Sequence, residues 1–189
     1  MGPAVQPFSI KLVSTKHDCA DLVTLFESCF AAEFKTCLMP GGEEPEYLPP
    51  NTESRGRVIF KHDYFASALH EVAHWCLAGA ERRLLPDYGY WYAPDGRTPE
   101  QQREFEQVEV KPQALEWLFS EAACAPFQIS VDNLNQRLGA SAAFKEAVAE
   151  QARAYLRDGL PPRAAIFNEV LLAFYGGVLR PERFAADRI

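Results

Sequence analysis

The sequence His70-Glu71-Val72-Ala73-His74 places two imidazoles and a carboxylate within five residues. In a helix, residues four apart lie about one turn apart and point the same way. Two imidazoles so arranged can bind one divalent metal ion from the same side. Glu71 lies about 100° around the helix from His70, near enough to act as an acid or base on a metal-bound water. The motif predicts a metal centre with His70 and His74 as ligands.

The residues on either side of the motif predict the helix that this arrangement needs. Asp63 is a favourable N-cap and Gly79 is favourable just past a helix end, so we expect a helix over 64–78. Its apolar positions recur at helical spacing, at Phe65, Leu69, Val72 and Cys76. The motif's histidines and glutamate fall off that stripe, on a face that can line a cleft. This pattern disfavours the alternative of two unrelated surface histidines.

A catalytic metal usually takes a third protein ligand and keeps a position open. The acid-rich segment 105–117 offers candidates. Pro112 lacks a backbone N–H and predicts a helix break, which would leave Glu109 at the break and facing a cleft. We therefore favour Glu109 as third ligand, with Glu106 as the alternative and Glu116 as a weaker one. Two histidines and a carboxylate suit zinc in a hydrolase or ferrous iron in an oxygen-activating enzyme.

Length and composition limit the class of protein. A chain of 189 residues fits a single domain spanning 1–189. The net charge of −7 and the lack of a long Lys/Arg run predict no direct nucleic-acid binding. No apolar run approaches the ~20 residues of a membrane span. The five cysteines show no C-x-x-C spacing, which favours a reducing cytoplasm over a disulfide framework.

Periodicity elsewhere predicts a helix-rich α+β domain with a small β-sheet. There is no alternation of strands and helices of the kind that builds a doubly wound sheet. Short strands are expected over 57–60 and 88–92, and the Pro/Gly-rich segment 40–50 reads as an exposed loop. Helices are expected over 18–36, from Thr98 up to Pro112, from Pro112 onward, and over 132–138, 140–156 and 161–179.

Three blocks of sequence, in this order, resemble the elongation factor P hydroxylase family: 70–79, 87–97 and 105–117. Residues 131–134 fit as well, and the likeness is strongest from 57 to 134. The resemblance implies hydroxylation of a lysine of elongation factor P to which another enzyme has attached a β-lysyl group. It implies a centre of two histidines and one carboxylate, with ferrous iron and dioxygen. It also implies an α+β fold similar to that of a bacterial metal-dependent endoribonuclease.

The resemblance puts the ligands on His70 and His74 and favours Glu109 for the carboxylate. Zinc or another divalent metal stays an alternative, the electron donor is not specified, and the role of Glu71 stays open between acid/base catalysis and orientation of a ligand or water. We expect a monomer that binds elongation factor P. The rival functions are a zinc peptidase that uses Glu71 on a zinc-bound water, a metal-dependent ribonuclease, and an adaptor with a closed structural metal site.

An aromatic segment is the candidate substrate-binding wall. Aromatic faces bind ammonium groups, and the substrate side chain implied by the resemblance carries them. The candidates are Tyr88, Tyr90, Trp91, Tyr92 and the acidic Asp95. The alternative is that alternate aromatics of a strand pack into the core.

Overall fold

The computed structural model describes residues 17–89, 97–131 and 139–189. These residues form five α-helices and one three-stranded sheet, which confirms the predicted helix-rich α+β class. The helices are α1 (Cys19–Phe34), α2 (Phe65–Leu77), α3 (Pro99–Ala122), α4 (Ala142–Asp158) and α5 (Pro162–Tyr175). The strands are β1 (Thr36–Pro40), β2 (Glu46–Leu48) and β3 (Gly56–Phe60). The predicted helix over 132–138 lies outside the described residues.

The sheet has the order β1-β3-β2, with β1 parallel and β2 antiparallel to β3. β3 confirms a predicted strand, whereas β2 lies inside the segment 40–50 that was expected to be a loop throughout. The loop prediction was wrong there because β2 is a three-residue edge strand that depends on pairing with β3 rather than on its own composition. Its central residue, Tyr47, is buried and opposes Val58.

Helix α2 has the predicted position but different ends. Its N-cap is Tyr64, not Asp63, and no side chain caps it. The turn before it is closed instead by Ser67, whose hydroxyl accepts the Lys61 N–H at 3.0 Å. The helix ends at Leu77 and continues in extended backbone, so the expected left-handed glycine cap after it is not used. The Arg163 side chain of α5 donates to the carbonyls of Trp75, Cys76 and Ala78 at this end, and the nearby Arg83 also donates to Ala78.

Helix α3 runs without interruption from Pro99 to Ala122, so the predicted break at Pro112 was wrong. The capping box at its start is as expected: Thr98 accepts the Gln101 N–H, and the Gln101 side chain accepts the Thr98 N–H at 2.8 Å. Pro112 costs the helix only the bond to the carbonyl of Val108. Val108 is 45% exposed, so water can take that carbonyl, and the buried second half of α3 packs against α2 and α4.

One continuous cluster of buried side chains holds α2 in place. At its centre is Trp75 of α2, fully buried, which contacts aromatic rings of α1. Burying rings of this size contributes strongly to stability. β1 packs on α1 and β3 packs on α2, so both layers anchor the motif helix. Among the helices of the described ranges, none combines the length and apolar character needed to cross a membrane.

Candidate metal centre

His70, His74 and Glu109 come together between α2 and α3. The Nε2 atoms of the two histidines are 3.0 Å apart. Glu109 Oε1 lies 3.3 Å from His74 Nε2, and Glu109 Oε2 lies 3.6 Å from His70 Nε2. One ligand atom from each residue lies within 4.8 Å of the others, the only such group of three or more potential ligands in the described part of the chain. Three donors from two helices therefore converge on one point.

The burial of the two helices explains this placement. The apolar stripe of α2 faces the core, with Leu69 and Val72 fully buried, and leaves the histidines at the edge of the α3 interface. The side chains of His70 and His74 are 24% and 13% exposed, whereas that of Glu109 is 3% exposed. The site is thus closed on the α3 side and reachable from solvent past the imidazoles.

Glu109 is held in its charged form. Burial raises the pKa of this carboxyl, but the charges and hydrogen bonding of His74, together with His70, lower it to about 2. A carboxylate that keeps its charge is a good ligand for a divalent cation. Glu109 also accepts a hydrogen bond from Gln113 Nε2 at 3.3 Å, one helical turn further along α3.

Gln113 is fully buried and connects Glu109 to the chain segment after α3. Its Nε2 donates to the Ser130 carbonyl at 2.8 Å, and its Oε1 accepts the Ser130 N–H at 3.0 Å. These two bonds to the backbone of Ser130 determine which end of the Gln113 amide is the donor. The N–H of that amide is therefore directed to Glu109 as well.

The other ring nitrogen of His70 has a partner of its own. His70 Nδ1 lies 2.8 Å from Glu116 Oε2, and Glu116 is 6% exposed. Burial lowers the pKa of His70, but the hydrogen bond and charge of Glu116, together with Glu109 and Glu71, raise it to about 10. Glu116, considered from the sequence as a weaker third ligand, thus contacts the side of the imidazole that faces away from the three converging donors.

Glu71 lies beside the ligand group but outside it. Its side chain accepts no hydrogen bond from the residues that the structure describes, and it is partly buried. Burial raises its pKa, against the opposing effect of His70 and His74. A carboxyl in this state can take up or release a proton more readily near neutral pH than an exposed one.

The donor set suits a divalent metal ion. The two Nε2 atoms face each other at 3.0 Å. When both are unprotonated their lone pairs repel each other, and a cation bound by both would relieve that repulsion. Glu109 adds the anionic oxygen. Two imidazoles and one carboxylate match ferrous iron or zinc with positions left open.

Comparison with known proteins places this chain in a family. The model of the EpmC family, elongation factor P hydroxylase, matches residues 25–184. The chain belongs to the elongation factor P hydroxylase family. One relative, the elongation factor P lysine hydroxylase of Haemophilus influenzae, is 50% identical over 161 residues, which cover 85% of this chain and 90% of the relative. The resemblance drawn from the sequence is confirmed, and the matched region contains all of α2 and α3.

The alternative ligand Glu106 lies elsewhere in this elongation factor P hydroxylase family member. Its carboxylate accepts a hydrogen bond from the Ser141 hydroxyl at 2.7 Å. Ser141 is the N-cap of α4, so Glu106 ties α3 to α4 and is not part of the group at the α2–α3 interface. Since α3 continues through Pro112, Glu109 reaches the histidines from the buried face of an unbroken helix rather than from a break.

Tyr88 does not have the predicted strand conformation. It lies in a short 3-10 segment, Pro86–Gly89, with φ of 57°, and Asp87 before it has φ of 46°. Its ring is buried and stacks on Tyr47 at 4.3 Å between centroids. Asp87 accepts the Tyr47 N–H at 2.7 Å, which holds this segment against β2. Tyr88 therefore packs into the core, the alternative considered from the sequence.

The other members of the aromatic segment, Tyr90, Trp91, Tyr92 and Asp95, lie outside the described residues. The sequence reasoning missed Gln113 and treated Glu116 only as a possible ligand. Both follow Glu109 on one helical face, at four and seven residues. That spacing is the signal that could have found them, but it is informative only once Glu109 is known to face the histidines.

Proposed function

We propose that this protein hydroxylates the β-lysylated lysine of elongation factor P, with dioxygen as co-substrate, at a ferrous iron held by His70, His74 and Glu109. The convergence of these three side chains, in a chain of the elongation factor P hydroxylase family, is the observation that carries the proposal. The relative from Haemophilus influenzae is named as a lysine hydroxylase of elongation factor P, which supports this substrate. Iron bound by this type of ligand set supplies the redox chemistry of oxygen insertion.

The protein's own groups would perform three tasks. His70 and His74 bind the metal from α2, and Glu109 neutralises part of its charge from α3. Gln113 holds the Glu109 carboxylate through its N–H. The partly exposed imidazoles leave an approach from solvent for a long substrate side chain. A closed structural site with four protein ligands is disfavoured, because the described residues bring only three ligands together.

Glu71 places a carboxylate next to the ligands, and no side chain within the described ranges forms a hydrogen bond or ion pair with it. A lysyl side chain that carries ammonium groups is attracted to such a carboxylate. The same carboxyl can hold or move a proton beside the reacting carbon. We assign Glu71 to proton handling or substrate orientation and not to metal binding. Of the aromatic segment, Tyr90, Trp91, Tyr92 and Asp95 stay the predicted substrate contacts.

A mass measurement tests the hydroxylation. The protein, loaded anaerobically with ferrous iron, is mixed with β-lysylated elongation factor P and a two-electron reductant such as ascorbate, and then exposed to oxygen. The reductant is needed because one oxygen atom enters the substrate and the other must be reduced to water. We expect the substrate to gain one oxygen atom, and we expect His70→Ala, His74→Ala and Glu109→Ala to abolish the gain. Glu106→Gln is the matched control on α3, and it should hydroxylate as wild type does, because its partner Ser141 lies outside the group.

The zinc peptidase alternative predicts a different result from the same mixture. If the iron-loaded protein adds no oxygen and the zinc-loaded protein cleaves peptide bonds, the hydroxylase proposal is wrong.

All five cysteines are free thiols, which fits the proposed action in the reducing cytoplasm.

A further inference from the structure

Glu116 has a position that metal binding alone does not require. It lies seven residues after Glu109, two turns along the same face of α3. Its Oε2 is 2.8 Å from His70 Nδ1, whereas the converging donor atom of that imidazole is Nε2. The carboxylate therefore lies behind His70, on the side away from Glu109 and His74.

We propose that Glu116 is a positioning residue, which keeps the proton of His70 on Nδ1 and directs Nε2 to the metal. The proposal rests on the metal centre described under Proposed function. A neutral imidazole carries one proton and can place it on either nitrogen. A carboxylate acceptor 2.8 Å from Nδ1 favours the tautomer with Nδ1–H and leaves the Nε2 lone pair free for a cation.

The burial of Glu116 makes the orientation specific. At 6% exposure, the carboxylate has little contact with water, and a buried charge is costly unless it is hydrogen bonded. Rotation of the His70 ring away from Glu116 would leave that charge without this partner. The cost of the rotated state keeps the imidazole in one orientation, which is set before the metal arrives.

Glu116 is separated from the ligand group by the imidazole itself. The three side chains that bring ligand atoms within 4.8 Å of one another are His70, His74 and Glu109. If Glu116 acted as a ligand, His70 would have to turn or leave. The two glutamates on this face of α3 thus have different roles. Glu109 is a ligand, whereas Glu116 acts through the ligand His70.

Zinc affinity, measured by competition with a chromogenic chelator, tests the role with matched variants. Glu116→Met keeps the shape but removes the acceptor, and we expect zinc affinity to fall about 10- to 100-fold. Glu116→Gln keeps an oxygen acceptor, so it should recover most of that loss. Glu106→Met and Glu106→Gln, on the same helix with Ser141 as partner, should bind zinc as wild type does.

The tautomer of His70 provides a measurement on the wild-type protein. In the zinc-loaded protein, nitrogen-15 NMR of the imidazoles should show His70 protonated at Nδ1 and metal-bound at Nε2. If His70 is instead protonated at Nε2 and metal-bound at Nδ1, the proposal is wrong. This result does not depend on whether Glu116→Met folds, which circular dichroism would show. Wild-type affinity in a folded Glu116→Met also overturns it, as does a loss equal to that of Glu109→Ala, which would make Glu116 a ligand.

Failure of the metal centre would look different. In that case wild type and His70→Ala would bind zinc equally weakly, and no Glu116 variant would change the result. If wild type binds zinc and His70→Ala does not, the centre stands, and the Glu116 variants decide the positioning role by themselves.

Discussion

Replacement of Arg163 should destabilise the helix that carries both histidines. The last carbonyls of a helix have no N–H partner within it. Arg163 Nη2 lies 3.0 Å from the Trp75 and Cys76 carbonyl oxygens and 2.6 Å from that of Ala78. Its guanidinium carbon is also 4.9 Å from the centre of the Trp75 ring. One side chain of α5 thus stabilises the C-terminal end of α2.

The size of the effect follows from these contacts. Nη2 carries two hydrogens and sustains about two good hydrogen bonds, and bonds to a charged group contribute about 1.5–3 kcal/mol each. Arg83 also donates to the Ala78 carbonyl, at 2.7 Å, and would continue to do so in the variant. We therefore expect Arg163→Met to lower the free energy of unfolding by about 3 kcal/mol. For a chain of this size the melting temperature should fall by about 6–12 °C.

Urea and thermal unfolding of the metal-free protein, followed by circular dichroism, measure this loss. Arg163→Lys keeps a positive charge at the helix end but not the planar fork, so it should fall between wild type and Arg163→Met. Arg157→Met is the control. Arg157 is exposed and pairs with Asp158, so its loss should change stability by no more than about 0.5 kcal/mol. Equal stability of Arg163→Met and Arg157→Met would refute the reasoning.

Four further predictions concern the site. Glu71→Gln should leave zinc affinity unchanged yet slow hydroxylation about 100-fold or more; weakened zinc binding would instead make Glu71 a ligand. Burial lowers the pKa of His70, but Glu116 and the other nearby carboxylates raise it to about 10. The Nε2 atom must lose its proton before it can bind a metal. Zinc affinity should therefore rise with pH between about 7 and 9, by up to about tenfold per pH unit. The raised pKa of His70 also contributes to the stability of the metal-free protein. This contribution to the free energy of unfolding is fully present below pH 6.5, the ordinary pKa of histidine, and is lost as the pH rises through about 10. A zinc affinity that does not change with pH, or a free energy of unfolding that does not change with pH, would contradict the raised pKa. Gln113→Leu, which removes the N–H donor to Glu109, should weaken zinc binding about tenfold in the same competition assay, and unchanged affinity would leave Gln113 as a loop anchor only.

Local sequence was sufficient to predict the motif helix. The spacing of its apolar residues defines a buried face, and the histidines fall beside that face because of the helical period. The capping residues were predicted less well. Asp63 and Gly79 are residue types that suit helix ends, yet neither caps α2. Ser67 instead accepts an N–H of the turn before the helix, and Arg163 donates to the last carbonyls. These partners come from the tertiary fold, which the local sequence does not reveal.

Glu109 shows a residue chosen for the wrong reason. The choice rested on a helix break at Pro112, but α3 is continuous there. Proline removes a single hydrogen bond, and packing of α3 against its neighbours outweighs that loss. The structure nevertheless places Glu109, and not Glu106, beside the histidines: the two are three residues apart and face different neighbours, α2 and the start of α4.

The sequence by itself determined the chemistry of this protein: two imidazoles one turn apart, acids on a second helix, and blocks of residues typical of a hydroxylase family. Those features depend on side-chain type and on a period of 3.6 residues, which are local properties. Only the tertiary structure decided which acid meets the histidines and which one lies behind them. Glu109 and Glu116 approach α2 from 35 and 46 residues away in the chain, and burial of α2 against α3, not sequence spacing, directs one carboxylate to the Nε2 atoms and the other to Nδ1.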